Sequence, residues 1–305
     1  MRNILVAAIL LLIAATSHAH ALDVFACEPE WGALVAEIGG DAVDVFIATT
    51  ARQDPHQIQA RPALISRLRA ADLVVCTGAE LEVGWMPVLL RQGANAKVQP
   101  GSPGYFEAAS AVRLLEVPTR LDRADGDVHA AGNPHIQTDP ANIRLVSIAL
   151  VQRMAEIDPS HAATFRDREQ AFRARLDAAM ARWTTEATPL KGMAVAVQHK
   201  DWRYLLNWLG MSEAATLEPK PGVPPSAGYL AGVIDDLPKK KVRMILYAAY
   251  QDPKPSEFVA AKTGIPAVEL PFTVGGTDQA GDLIAFYDDT VHRLLTGMNA
   301  NADHH

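Results

Sequence analysis

Apolar positions along the chain fall into short runs set between helical patterns, and the arrangement occurs twice. Residues 23–27, 43–48 and 72–76 form compact β-type runs, while 30–39 and 61–70 carry helical spacing, the first closed by Gly39-Gly40. That alternation predicts βαβ units around a mostly parallel sheet. Runs at 193–197, 214–217, 243–247 and 267–270 repeat the pattern, with helical segments near 201–209, 226–236, 255–263 and 280–297. The fold class expected is therefore α/β, with two lobes. Between them Asp158-Pro159-Ser160 opens a helical stretch from Pro159 to Thr188 that Pro189 stops. Its apolar residues Phe165, Phe172, Leu176, Met180 and Trp183 share one face. Thirty helical residues span roughly 45 Å, enough to join the lobes as a rigid spine. Segments 100–104 and 122–134, rich in glycine, proline and acidic residues, read as loops. The expected organisation is a leader at 1–21, an N-terminal lobe at 22–157, a linking helix at 158–189, a C-terminal lobe at 190–298 and a tail at 299–305.

The leader changes where the chain is expected to work. Met1-Arg2-Asn3 supplies a short positive start, residues 4–15 are apolar but too short to span a bilayer, and Ala19-His20-Ala21 offers a small-x-small cleavage site. Export to the periplasm follows. Cys27 lies past Asp23 and well beyond the apolar run, a poor position for a lipid anchor. The formal charge is −7, and losing residues 1–21 removes only Arg2 to leave −8, which disfavours nucleic acid as a partner. The two cysteines, Cys27 and Cys76, each end an apolar run that reads as a parallel strand. Neighbouring parallel strands would bring those ends together, so a disulfide is expected in an oxidising compartment, with two buried thiols as the alternative.

Ten histidines can be sorted one by one. His18 and His20 lie in the leader, His304 and His305 in the tail, and His161 and His292 at surface-type helical positions, which leaves His56, His129, His135 and His199. Four punctuated segments each present one metal-type group: Asp54-Pro55-His56, Asn133-Pro134-His135, Gln198-His199-Lys200-Asp201 and Gly275-Gly276-Thr277-Asp278. Three imidazoles and one carboxylate suit Zn²⁺ in a four-coordinate shell. Two segments lie in each half, so one ion would sit between the lobes. On the residues alone, His56 and His135 read first as ordinary loop histidines stiffened by a preceding proline, and metal ligation is the second reading. For His199 the alternative is a capping or packing histidine. Asp278 competes with Asp282, Asp288 and Asp289. The Glu80 and Glu82 pair reads as a loop and a helix start.

The chain resembles the zinc and manganese class of periplasmic solute-binding proteins that feed ABC importers, the cluster A-I or ZnuA-like family. Asp54-Pro55-His56, the helical pattern after it and the run from Ala71 to Glu82 carry the likeness most specifically, and it covers essentially the whole chain beyond the leader. The resemblance implies metal ligation by His56, by His135 of the segment continued in Asp139-Pro140, by His199 before Trp202-Arg203-Tyr204, and by Asp278. It further implies Zn²⁺ as transported ligand, an ABC importer permease as partner, a periplasmic zinc metallochaperone as a further partner, and a monomer. The chain departs from the pattern at Asn133, where aspartate is common, and in a shortened aromatic segment after His199. In place of a long histidine-rich loop, residues 122–132 offer Asp122, Asp125, Asp127 and His129. A manganese receptor of the same class is the nearest alternative, although manganese-type relatives carry a second carboxylate where His199 stands. From other classes come a periplasmic zinc hydrolase using Asp278 as general base and a metal-independent receptor or adhesin. Four protein ligands would leave no open position for water activation, and neither a His-Glu-x-x-His element nor a nucleophile elbow is present.

Overall fold

A computed structural model describes residues 21–120, 126 and 129–302. The leader through residue 20, residues 303–305 and, in the acidic loop, Asp122, Asp125 and Asp127 lie outside the described residues. Two four-stranded, wholly parallel sheets form the two lobes. The first contains β1 (Leu22–Ala26), β2 (Val43–Ile47), β3 (Leu73–Cys76) and β4 (Tyr105–Glu107) in the order β2-β1-β3-β4. The second contains β5 (Ala194–Val197), β6 (Ser212–Thr216), β7 (Met244–Ala248) and β8 (Ala267–Leu270) in the order β6-β5-β7-β8.

Both sheets are covered on both faces, which is why their central strands, Asp23 of β1 apart, are continuously apolar rather than alternating. Val24 and Val75 point into one large core while Phe25, Val74 and Cys76 point into a second, outer one. In the other lobe Val195 and Leu246 join the same large core, and Ala196 and Ile245 face a third. Helices of the first lobe are α1 (Pro29–Gly39), α2 (Pro62–Ala70) and α3 (Met86–Gly93); α4 (Pro140–Ile157) and α5 (Ala162–Glu186) follow; α6 (Arg203–Leu209), α7 (Ala227–Asp236), α8 (Lys254–Thr263) and α9 (Leu283–Ala302) belong to the second.

The linking helix is shorter than its sequence limits predict. Helix α5 has 25 residues, roughly 37 Å of axis, and its C-terminal end passes into a short 3₁₀ turn, Thr188–Leu190. Its buried stripe is Phe165, Phe172, Leu176 and Trp183, whereas Met180 is only partly covered. This stripe packs with α1, α4 and α9, so the inner core runs through it from one lobe to the other. Helix α4 was not anticipated. The Asp139 side chain caps it by accepting from the Ala141 N–H at 2.8 Å, and Pro140 occupies its first position.

Cys27 and Cys76 form a disulfide at the carboxyl ends of β1 and β3, where the parallel pairing brings their Cα atoms to 4.8 Å. The strand order of each sheet reverses direction at one place, between β1 and β3 and between β5 and β7. In open α/β sheets ligands collect at such points, outside the carboxyl ends of the strands. Polar contacts across the gap hold these ends face to face: Thr273 donates its hydroxyl to Glu30, Arg52 donates to the Ala249 carbonyl at 2.8 Å, and Tyr287 to the Gln137 carbonyl at 2.6 Å.

Candidate metal centre

Each of the three ligand histidines anticipated from sequence has its Nδ1 tied to a side-chain oxygen, and the ties are built in two ways. In Asp54-Pro55-His56 the Asp54 carboxylate accepts from the His56 backbone N–H at 3.0 Å and lies 2.8 Å from its Nδ1. In Asn133-Pro134-His135 the Asn133 Oδ1 makes the same two contacts, at 3.0 and 2.9 Å. This is a local turn in which the residue two positions earlier holds the backbone and the ring together. The intervening proline restricts the turn further, and the Pro55 carbonyl is pinned by Trp85 Nε1 at 2.9 Å. Asparagine at 133 does what aspartate does at 54 and adds something. Its Nδ2 donates to Glu116 and to the Lys200 carbonyl, both at 3.0 Å, contacts that a carboxylate could not make. His199 follows β5 and is held instead by Glu218, whose Oε2 lies 2.7 Å from Nδ1 and also accepts from the Gly222 N–H.

An oxygen acceptor at Nδ1 fixes the proton there and leaves the Nε2 lone pair free to bind a cation. His135 is 2% and His199 7% exposed, and the ring centroids of the three histidines lie 5.4, 5.9 and 5.8 Å apart. Their ligand atoms fall within 4.8 Å of one another. The Nε2 atoms of His56 and His135 are buried and have no hydrogen-bond partner. Burying such a group unsatisfied costs free energy, so the pocket is shaped for something that the protein alone does not supply.

The electrostatics separate the rings. Burial, then the charges of His56, His199 and His129, hold His135 well below the usual histidine range, so it stays neutral. Burial acts downward on His199 too, but Asp201 and Glu218 outweigh it and raise this imidazole to about 9. For Asp54, the upward effect of burial is overcome by the hydrogen bond and charge of His56, and its carboxyl lies below the usual range.

Asp278, the fourth group anticipated, is not among the described residues whose ligand atoms converge with the three histidines. It is exposed at the tip of a small loop that closes on itself, with the Gly275 N–H donating to the Ala280 carbonyl and the Ala280 N–H to Thr277. The wall beside His135 is the Phe272 ring, 5.6 Å away. A carboxylate that the structure does bring to the Nε2 side of two of the imidazoles is Asp201, fully buried, with Oδ1 3.6 Å from His135 Nε2 and 3.9 Å from His199 Nε2. A fourth ring is also present. His129 lies 5.3 Å from His56, its Nε2 buried without a partner, and burial followed by His56 and His199 lowers it to about 4. It is carried on the chain just before Ala130, whose N–H donates to Glu80. A groove lined by Glu116, His129, Asn133, His135, His199 and Pro221 leads to the rings.

Asp201 was visible in the sequence only as the end of a His-Lys-Asp segment at a helix start. Glu218 carried no local signal at all, since it reaches His199 from 19 residues away.

Two parallel lobes meet over converging imidazoles, and the proteins this chain is similar to are solute-binding proteins with that arrangement of lobes. The chain belongs to the family described as zinc-uptake complex component A, periplasmic, which matches residues 24–297. It is 23% identical over 259 residues to the high-affinity zinc uptake system protein ZnuA of Paracoccus denitrificans, covering 74% of this chain and 76% of that one. It is 22% identical over 274 residues to the metal ABC transporter substrate-binding lipoprotein SloC of Streptococcus mutans, covering 87% and 86%. A manganese ABC transporter substrate-binding lipoprotein, PsaA of Streptococcus pneumoniae, is 19% identical over 92% of this chain and 89% of its own. A crystal structure of ZnuA superimposes with a TM-score of 0.73 at 23% identity, covering 92% of this chain and 98% of that one. A manganese-bound periplasmic metal binding protein from Candidatus Liberibacter asiaticus gives 0.72 at 16%, covering 90% and 98%. The relatives thus include proteins named for zinc and for manganese, and no helix among the described residues is long and apolar enough to cross a membrane.

Proposed function

We propose that this protein is a periplasmic receptor that captures one Zn²⁺ between its lobes through His56, His135 and His199 and delivers it to the permease of an ABC importer. One observation carries the reading: three imidazoles converge, their ligand atoms within 4.8 Å of one another, with every Nδ1 committed to an oxygen, so that Nε2 is the atom each has left for a cation. Zinc is favoured over manganese because neutral imidazole suits a borderline-soft cation and Mn²⁺ is the weakest binder of the first-row series. The whole set lies within one chain, which fits a monomer, and a periplasmic metallochaperone is a fitting donor for a site reached by a narrow groove.

Competition titration with both metals tests the assignment. Wild type should bind one Zn²⁺ far more tightly than Mn²⁺, and His56→Ala, His135→Ala and His199→Ala should each lose zinc affinity by more than about 100-fold, beyond the 10–100-fold typical of losing a supporting partner. Saturating zinc should also raise the melting temperature, since a hundredfold excess over Kd adds about 2.7 kcal/mol to the native state. Equal affinity for the two metals would reassign the cargo. Wild-type zinc affinity in all three variants would end the receptor reading.

A further inference from the structure

We propose that Asp201, rather than a carboxylate of the 275–280 loop, supplies the fourth donor to the bound metal. The inference rests on the receptor reading above and concerns how its coordination shell is completed.

Against two of the three imidazoles, the geometry is close to what a small tetrahedral ion requires. Bonds of about 2.0–2.1 Å place neighbouring donors about 3.3–3.4 Å apart, and Asp201 Oδ1 stands 3.6 Å from one Nε2 and 3.9 Å from the other. The carboxylate is already aimed. Tyr250 donates its hydroxyl to Oδ1 at 3.1 Å and Gln251 donates Nε2 to Oδ2 at 2.7 Å, both from the segment that follows β7. Gln251 is in turn fixed by the Ala248 N–H, which donates to its Oε1 at 2.9 Å. Such outer partners hold the donor in position before the ion arrives.

Charge gives the second reason. Asp201 is fully buried, its hydrogen-bond donors are neutral, and its ion-pair partners within 4 Å are the two imidazoles that would bind metal. A buried carboxylate without a cation is costly, and an imidazole that ligates a metal is neutral and supplies no compensating charge. A divalent ion restores the balance.

The assignment has a structural consequence. His199 and Asp201 come from one short segment, and the Asn133 bond to the Lys200 carbonyl joins that segment to the turn carrying His135. Three donors would share one connected support, and His56 would complete the shell from the other side.

The test compares Asp201→Asn with Asp278→Asn in a zinc competition titration, alongside metal-free melting. Asp201→Asn should weaken zinc by more than about 100-fold while leaving the metal-free melting temperature unchanged or higher, and Asp278→Asn should stay within about twofold of wild type. Zinc affinity within tenfold of wild type in Asp201→Asn, while the histidine variants lose binding, would overturn the fourth-donor role and spare the receptor. So would a large loss in Asp278→Asn. Infrared difference spectra supply a readout that does not need Asp201→Asn to fold: zinc should shift a carboxylate band in wild type and equally in Asp278→Asn. No shift in wild type, or its disappearance in Asp278→Asn, would also refute the proposal. Wild-type zinc affinity in all three histidine variants would remove the receptor reading and this inference together.

Discussion

The two lobes prepare their histidines by opposite means. In the N-terminal lobe the anchor is two residues away in sequence: Asp54 and Asn133 each hold both the backbone and the ring of the histidine that follows a proline. In the C-terminal lobe the anchor is Glu218, delivered by the turn after β6, and its carboxylate must be brought to His199 by the folding of the sheet. A local anchor depends on the turn alone. A distant one depends on the lobe. The charges differ as well: His135 is kept neutral beside a neutral amide, and His199 is drawn up to about 9 between two carboxylates.

Removing the anchors should give the largest effect on this contrast. Asp54→Ala and Glu218→Ala should each cost zinc about 10–100-fold, as loss of an outer partner does. Asp54→Asn should cost far less, because Asn133 shows that an amide oxygen holds the same turn. If Asp54→Asn weakens binding as much as Asp54→Ala, the carboxylate charge rather than the turn geometry is what matters in the N-terminal lobe.

Proton linkage sharpens the difference between the rings. A histidine raised to about 9 is protonated at neutral pH and must release that proton to ligate, whereas one held well below the usual range has none to lose. Zinc affinity should therefore fall steadily as pH drops below about 9, and calorimetry in buffers of different ionisation heat should detect about one proton released per zinc near pH 7. In the metal-free protein the same shift stabilises the fold below the unfolded value of about 6.5 and is lost as pH rises through about 9. Zinc binding that is independent of pH between about 6 and 9 would contradict the charged state of His199.

The smallest effect should come from His129, which sits beside the set on a chain segment rather than on a sheet end. His129→Ala, or deletion of residues 123–131, should leave equilibrium affinity within a few-fold and slow zinc acquisition from a competing carrier. Stopped-flow transfer from a chromophoric chelator would show it, and unchanged kinetics would reject a capture role for this ring.

Much of this architecture is carried by local signals. Short β-type runs between helical patterns mark seven of the eight strands to within a residue or two at each end, and Cys27 and Cys76 were placed to pair because their strands are neighbours. The turn chemistry of Asp54-Pro55-His56 and Asn133-Pro134-His135 is written in three consecutive residues. Where the reading went astray, the deciding interactions are distant. Strand β4 has only three residues and is defined by its pairing with β3, so no periodicity announces it. Helix α4 begins at Asp139-Pro140, a cap signal that served only as a family mark, and it is recognised by its packing on α5.

At the metal centre the same division holds. Turn residues in the sequence determined how His56 and His135 are held. Which carboxylate faces the rings was decided by tertiary structure: among Asp201, Glu218 and Asp278, all equally plain as letters, the fold buries Asp201 between two rings, uses Glu218 to orient one, and leaves Asp278 exposed. The reason is physical. A carboxylate acquires its role from burial and from donors such as Tyr250 and Gln251, and those arrive from segments some fifty residues away only when β5 and β7 lie side by side.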